Sequence, residues 1–172
     1  MDHLREWQEH ATQFAPKRSP RLTWLQIYPS VHRRQPREIQ RSVERAFAEY
    51  KRQGCDDDAL LASLYNDHAY ALHDLGDMKR ALGLAEKALA IRRRLFGDRH
   101  PDTANSLNNV AFQVNAIGNP GFALELAEQA LAIRRELFGE CHPDTATSLN
   151  NIAGYTSLKF LFEKANIILS IS

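Results

Sequence analysis

The chain of 172 residues holds only two cysteines, Cys55 and Cys141. Two thiols with no short metal-ligand spacing form neither a disulfide framework nor a zinc site, so a reducing, cytoplasmic setting is expected. Long hydrophobic runs are equally scarce. No apolar stretch approaches the roughly 18 to 20 residues that span a bilayer, and residues 160–162 and 167–169 are separated by Glu163 and Lys164. Residues 1–10 are polar and carry both charge signs, so no leader peptide and no membrane association are expected. A dominant charge sign is also lacking: 22 Lys and Arg against 21 Asp and Glu leave +1, far from the basic footprint of a dedicated nucleic-acid binder. Phosphate loops, GxSxG and HExxH motifs are absent, and no paired carboxylates mark a cleft. The sequence therefore predicts no enzyme, no cofactor and no metal.

What remains is ordinary globular material, 44% apolar and 25% charged, in a length suited to one packed domain. Charge is unevenly spread. Residues 1–55 carry 11 basic against 6 acidic side chains, or +5, and residues 56–172 carry 11 against 15, or −4. Lys17, Arg18, Arg21, Arg33, Arg34 and Arg37 hold the subordinate reading of an anionic lipid or nucleic-acid contact at the amino end.

The dominant signal is self-similarity. Residues 81–111 read ALGLAEKALAIRRRLFGDRHPDTANSLNNVA and residues 123–153 read ALELAEQALAIRRELFGECHPDTATSLNNIA, identical at 24 of 31 positions with an offset of 42. The offset reaches backward, with Gly118 on Gly76, Ala111 on Ala69, Asn108 on Asn66, and Ala130 and Ala88 on Ala46.

Each unit reads as two antiparallel helices. Ala104, Leu107, Val110, Ala111 and Val114 recur at helical spacing until Gly118 stops the first helix. Asn119 is then an N-cap with Pro120 at the first helical position, and Phe122, Ala123, Leu126, Ala127, Ala130, Leu131 and Ile133 mark the second helix, ended by Gly139. The link Gly139-Glu140-Cys141-His142-Pro143 cannot continue a helix, and Asp144 or Thr145 is positioned to cap the next one. Alanines at 69, 111 and 153 on first helices, and at 81, 88, 123 and 130 on second helices, let helix axes approach to about 8 Å.

The pattern AL-x-L-x-E-x-ALAIRR-x-LFG-x-x-HPDTA-x-SLNN-x-A resembles the tetratricopeptide repeat (TPR) in its 42-residue variety, found in kinesin light chains and nephrocystin-3-like proteins. The resemblance implies an all-α, right-handed superhelix of antiparallel helix pairs. It divides the chain into an irregular helical cap at 1–35, a repeat array at 36–153 and a divergent apolar tail at 154–172. Within the array lie a half repeat at 36–55, repeats at 56–97 and 98–139, and the start of a third at 140–153. Phe160 occupies the place of the turn glycines Gly76 and Gly118, so either a helix runs on through this turn or the repeat is truncated. The apolar tail either folds back on the last unit or seeks a partner. In the cap, Leu4, Trp7, Ala11 and Phe14 form a short amphipathic helix, and Trp24, Leu25, Ile27 and Tyr28 form an apolar lid. That segment is similar to the joint between nucleotide-binding module and repeats in bacterial STAND-type ATPases, which implies descent or detachment from such a signalling protein.

The TPR resemblance also implies a concave groove lined by the first helices, and with it a protein or peptide ligand. Asn109 and Asn151 occupy the position where clamp-type repeats hold a peptide backbone or terminal carboxylate. Asn66, Tyr70, Asn105, Asn108, Phe112 and Asn150 extend the candidate wall, with Ser63 and His73 beside them. Amides both donate and accept, which suits an extended backbone. Some of these asparagines are alternatively scaffold braces between helices. His100 and His142 repeat 42 residues apart in matching loops, and the position matching Cys141 is Arg99, so both are read as structure rather than chemistry. Asp56, Asp57 and Asp58 fit capping of a helix start. Arg92, Arg93, Arg94, Arg134 and Arg135 fall late in second helices, mostly solvated, with a subset able to reach an acidic peptide. The expected role is a noncovalent interaction scaffold. The alternatives are a regulatory fragment of a nucleotide-dependent signalling protein and a repeat module that self-assembles through its ends or tail.

Overall fold

Helix limits follow the glycine and proline punctuation. The computed structural model describes residues 36–52, 54 and 57–171, and among these it is all-α: α1 Pro36–Arg52, α2 Asp58–Asp74, α3 Met78–Phe96, α4 Pro101–Ala116, α5 Pro120–Phe138 and α6 Pro143–Ile171. The cap helix, the lid around Trp24, the basic cluster at Lys17, the STAND-like segment, Cys55 and Asp56 lie outside the described residues.

Two alternating linker types join the helices. The tight one closes α2 to α3 and α4 to α5. Gly76 and Gly118 sit at φ 88° and 87°, where a side chain is strained. Around them the Asp77 amide donates to Leu72 O at 2.9 Å and the Asn119 amide to Val114 O at 3.2 Å, the Schellman arrangement that satisfies the last helical carbonyls. Asp77 and Asn119 then cap the following helices, accepting from the Arg80 and Phe122 amides at 3.2 and 3.1 Å. Asp57 does the same for α2, accepting from Leu60 at 3.0 Å.

The longer linker differs from expectation at its cap. Neither Asp144 nor Thr145 starts α6: His142 Nδ1 accepts from the Asp144 amide at 3.1 Å, as His100 Nδ1 accepts from the Asp102 amide at 3.1 Å. An imidazole acceptor followed by proline at the first helical position does the work usually given to Ser or Asp. Each ring also stacks on the phenylalanine that ends the preceding helix, His100 on Phe96 and His142 on Phe138, both with centroids 4.4 Å apart. Thr145 is buried instead, its Oγ1 donating to Gly139 O at 2.8 Å, and Thr103 bonds Gly97 O at 2.7 Å in the matching loop.

Each helix packs on the next in sequence, and first helices α2 and α4 also touch across the repeat. The seam is built from fully buried alanines: Ala81, Ala85, Ala88, Ala104, Ala111, Ala123, Ala127 and Ala130 have no accessible surface. Larger side chains, Leu72, Leu107, Val110, Val114 and Tyr155, fill the same cluster. A second cluster joins Val43 and Ala46 of α1 to Leu60, Leu64 and Ala71 of α2.

The third unit departs from this plan. With Phe160 where glycine would turn the chain, α6 continues for 29 residues and no second helix folds back at that point. Ala153, expected in a close helix seam, is therefore exposed. Phe160, Leu161 and Phe162 retain 56%, 59% and 49% of their accessibility, so this described part of the tail does not fold onto the last unit.

Candidate functional site

The first helices of the units, α2, α4 and α6, bring side chains around one cavity of about 540 Å³. Asn66 and Tyr70 of α2, Asn105, Asn108, Asn109 and Phe112 of α4, and Asn151 of α6 all border it, together with Ser63. Asn150, the repeat counterpart of Asn108, is exposed and does not border it, while Asn151 does. A rotation of about 100° separates Asn108 from Asn109 on α4, yet both border the cavity. Asn108 is buried at 8% accessibility and bridges repeats, its Nδ2 donating to Ser148 Oγ at 3.2 Å. Its buried Oδ1 has no protein partner.

Asn109 is held from the neighbouring unit, accepting from the Tyr70 hydroxyl at 2.8 Å. Enclosure of that hydroxyl, helped by the Asp67 carboxylate, pushes the Tyr70 pKa up, although 40% of the residue's surface remains accessible. Its proton therefore stays available to the bond across the physiological range. Tyr155 is likewise raised, by burial first and by Tyr70 second. Phe112 lies 6.2 Å from Tyr70 and 4.3 Å from His73, ring centroid to ring centroid. His73 is behind this wall rather than in it, its Nδ1 2.9 Å from Oε1 of the buried Gln113.

The arginines divide by helix face. Arg93, Arg94 and Arg135 make surface pairs with Asp98, Asp58 and Glu140. Arg92 and Arg134 turn inward and reach the cavity from the second helices. Arg134 is 5% accessible and its Nη1 donates to Asp144 O and Ser148 Oγ, both at 2.8 Å, while Nη2 donates to Asn105 Oδ1 at 2.6 Å. Arg92 donates to Ser106 Oγ at 2.8 Å. Burial pulls both pKa values down, against Asp102 and Asp67 for Arg92 and Asp144 for Arg134, yet a guanidinium stays charged. These two border the cavity, and the sequence reading, which allowed a subset of the arginines to reach a peptide, did not single them out. Their signal was present: Arg92 and Arg134 stand four residues after the buried Ala88 and Ala130, on the inward stripe.

The wall therefore offers amides, two phenols, an exposed aromatic edge and two guanidinium groups on its floor. Among the described residues no group of His, Cys, Asp or Glu is placed to hold a metal ion, and no helix is long and apolar enough to cross a membrane.

A tetratricopeptide repeat family matches residues 60–135 and 107–169, two overlapping stretches that together cover well over half of the chain. The protein belongs to the tetratricopeptide repeat family. Solved structures place it among solenoids of the kinesin light chain kind. BtubC (BKLC) from P. vanneervenii superposes with a TM-score of 0.74 at 25% identity, over 95% of this chain and 66% of that one. The present TPR chain thus spans just under two thirds of that protein's length. The nearly identical TPR-like repeats of a candidate kinesin light chain from Podosopora anserina superpose with TM-scores of 0.68 and 0.64 in two crystal structures. Both are 20% identical and cover 97% of this chain, against 80% and 81% of theirs. No curated protein matches at a significant level. The family and the fold make this an all-α interaction scaffold of TPR type.

Proposed function

We propose that the concave face binds an extended peptide carrying a carboxylate. The observation behind this reading is Arg134, a buried guanidinium at the cavity whose three hydrogen bonds all go to neutral oxygens, the Asp144 carboxylate acting on it without pairing directly. A cation in such surroundings favours an anion brought in by a ligand, because the low local dielectric strengthens the attraction. Asn109 and Asn151 supply backbone donors and acceptors along the wall, and Tyr70 with Phe112 supplies an apolar ledge for a side chain.

Selection of a displayed peptide library against the protein tests the proposal. Peptides selected by the parent protein should bind an Asn109→Ala/Asn151→Ala variant about tenfold or more weakly, as expected for two lost hydrogen bonds. Their affinity should also fall with added salt and on replacing Asp or Glu by Asn or Gln. Equal binding by a variant with an unchanged helical melt overturns the groove; indifference to the acid-to-amide change overturns the carboxylate.

A further inference from the structure

The open flank of α6 is separate from the groove. In α4 the residues Ala104, Leu107, Ala111 and Val114 are buried, at most 2% accessible, in the cluster that includes Ala123, Ala127 and Ala130 of α5. Forty-two residues later the same positions of α6 are Ala146, Leu149, Ala153 and Thr156, and all four are exposed. Phe160, at the next step, is 56% exposed. Thr156 Oγ1 bonds back to Ile152 O at 2.8 Å, which leaves its methyl group as the outward surface.

We infer that this flank pairs with the same flank of a second copy, the two α6 helices running antiparallel. The spacing from Ala146 through Leu149, Ala153 and Thr156 to Phe160 is three, four, three, four, which is the seam of a two-stranded coil. A second helix in this fold already runs antiparallel to the first helix it covers, so the pairing repeats the α4 to α5 interface, with each α6 lying on the other as α5 lies on α4. From Leu149 to Phe160 the stripe is complementary to itself, and beyond it Ala146 meets Glu163 of the second copy at the end of the seam. About a two-fold axis between residues 154 and 155, Ala153 faces Thr156 of the second copy and Leu149 faces Phe160. Small meets small at the centre, where the axes approach most closely, and large meets large on either side. The contact is isologous and closes at a dimer.

Sedimentation equilibrium of the full chain across the micromolar range should give a reversible species of twice the 19.6 kDa chain mass. Leu149→Glu and Phe160→Arg lie on exposed positions and should each retain the helical melt and remain monomeric. Mixed together they should dimerise again, because one heterodimer contact becomes Glu with Arg and the other stays Leu with Phe. A parent that stays monomeric, a single variant that still dimerises, or a mixture that stays monomeric each overturns the antiparallel α6 pair; the last would assign the flank to a different occupant or register.

Discussion

His68 on α2 shows how one side chain ties the stability of this solenoid to pH. Its Nε2 is buried without a hydrogen-bond partner, and its ring lies 6.1 Å from Phe47 of α1. Burial lowers its pKa, Arg80 lowers it further, and Glu44 opposes both. The folded protein thus holds the ring neutral, whereas the unfolded chain takes up a proton near the ordinary value of about 6.5. Stability is unaffected by this residue above that value and falls as pH drops below it, because only the unfolded state binds the proton. Urea midpoints at about pH 7.5 and 5 should therefore differ less in His68→Leu than in the parent. An identical pH difference in both proteins would remove His68 from the account. The arginines at the same scale show where residue-type reasoning stops. Arg134 and Arg135 are neighbours of identical chemistry, yet one braces two repeats and the other pairs with Glu140 in solvent. Composition alone cannot separate them, but the phase of the alanine stripe does.

At the scale of elements, the chain was legible wherever glycine, proline and a capping side chain agreed. Gly118, Asn119 and Pro120 announce the α4 to α5 turn, and the structure has them as the left-handed glycine just past the C-cap Ile117, the N-cap and the first helical residue. The caps of α4 and α6 were not legible, because His100 and His142 act through ring geometry and a stacked phenylalanine, which no propensity scale contains. The length of α6 was left open in the sequence since Phe160 breaks the turn rule without saying what replaces it; the absence of a left-handed residue lets helical hydrogen bonding continue. Seven of the eight candidate wall residues border the cavity, and Asn150 does not. Backbone conformation makes a direct test of the turn. Gly118→Ala, at φ 87°, should lose about 1 to 2 kcal/mol of stability. Gly83→Ala lies within α3 with nothing within 4 Å of the added carbon, and should gain about 0.5 to 1 kcal/mol. Chemical denaturation of the two variants should shift in opposite directions, and a shared direction would contradict the assigned geometry.

For the whole molecule, stability is a chain of neighbour interfaces rather than one central core, and the repeated alanine exposes that design. Ala111 is fully buried, with helices packed around it, and Ala153 occupies the same repeat position in the open. Ala111→Phe should cost about 1 to 3 kcal/mol by overpacking, with loss of cooperativity in the thermal melt. Ala153→Phe, measured on dilute protein, should leave the melt nearly unchanged. Equal effects at the two positions would mean that α6 is covered in solution as α4 is.

The linker of Phe96, Gly97, His100 and Thr103 is repeated at Phe138, Gly139, His142 and Thr145 with the same stack and the same hydroxyl-to-carbonyl bond. The two joints thus make the same turn from one unit to the next. The repeat is thus a cassette. Copying 42 residues between two such joints lengthens the wall and adds one inward arginine, with the asparagines at the positions of Asn105, Asn108 and Asn109, each time. Ligand length would then be measured in whole cassettes, as on a ruler whose graduations are the buried guanidinium groups.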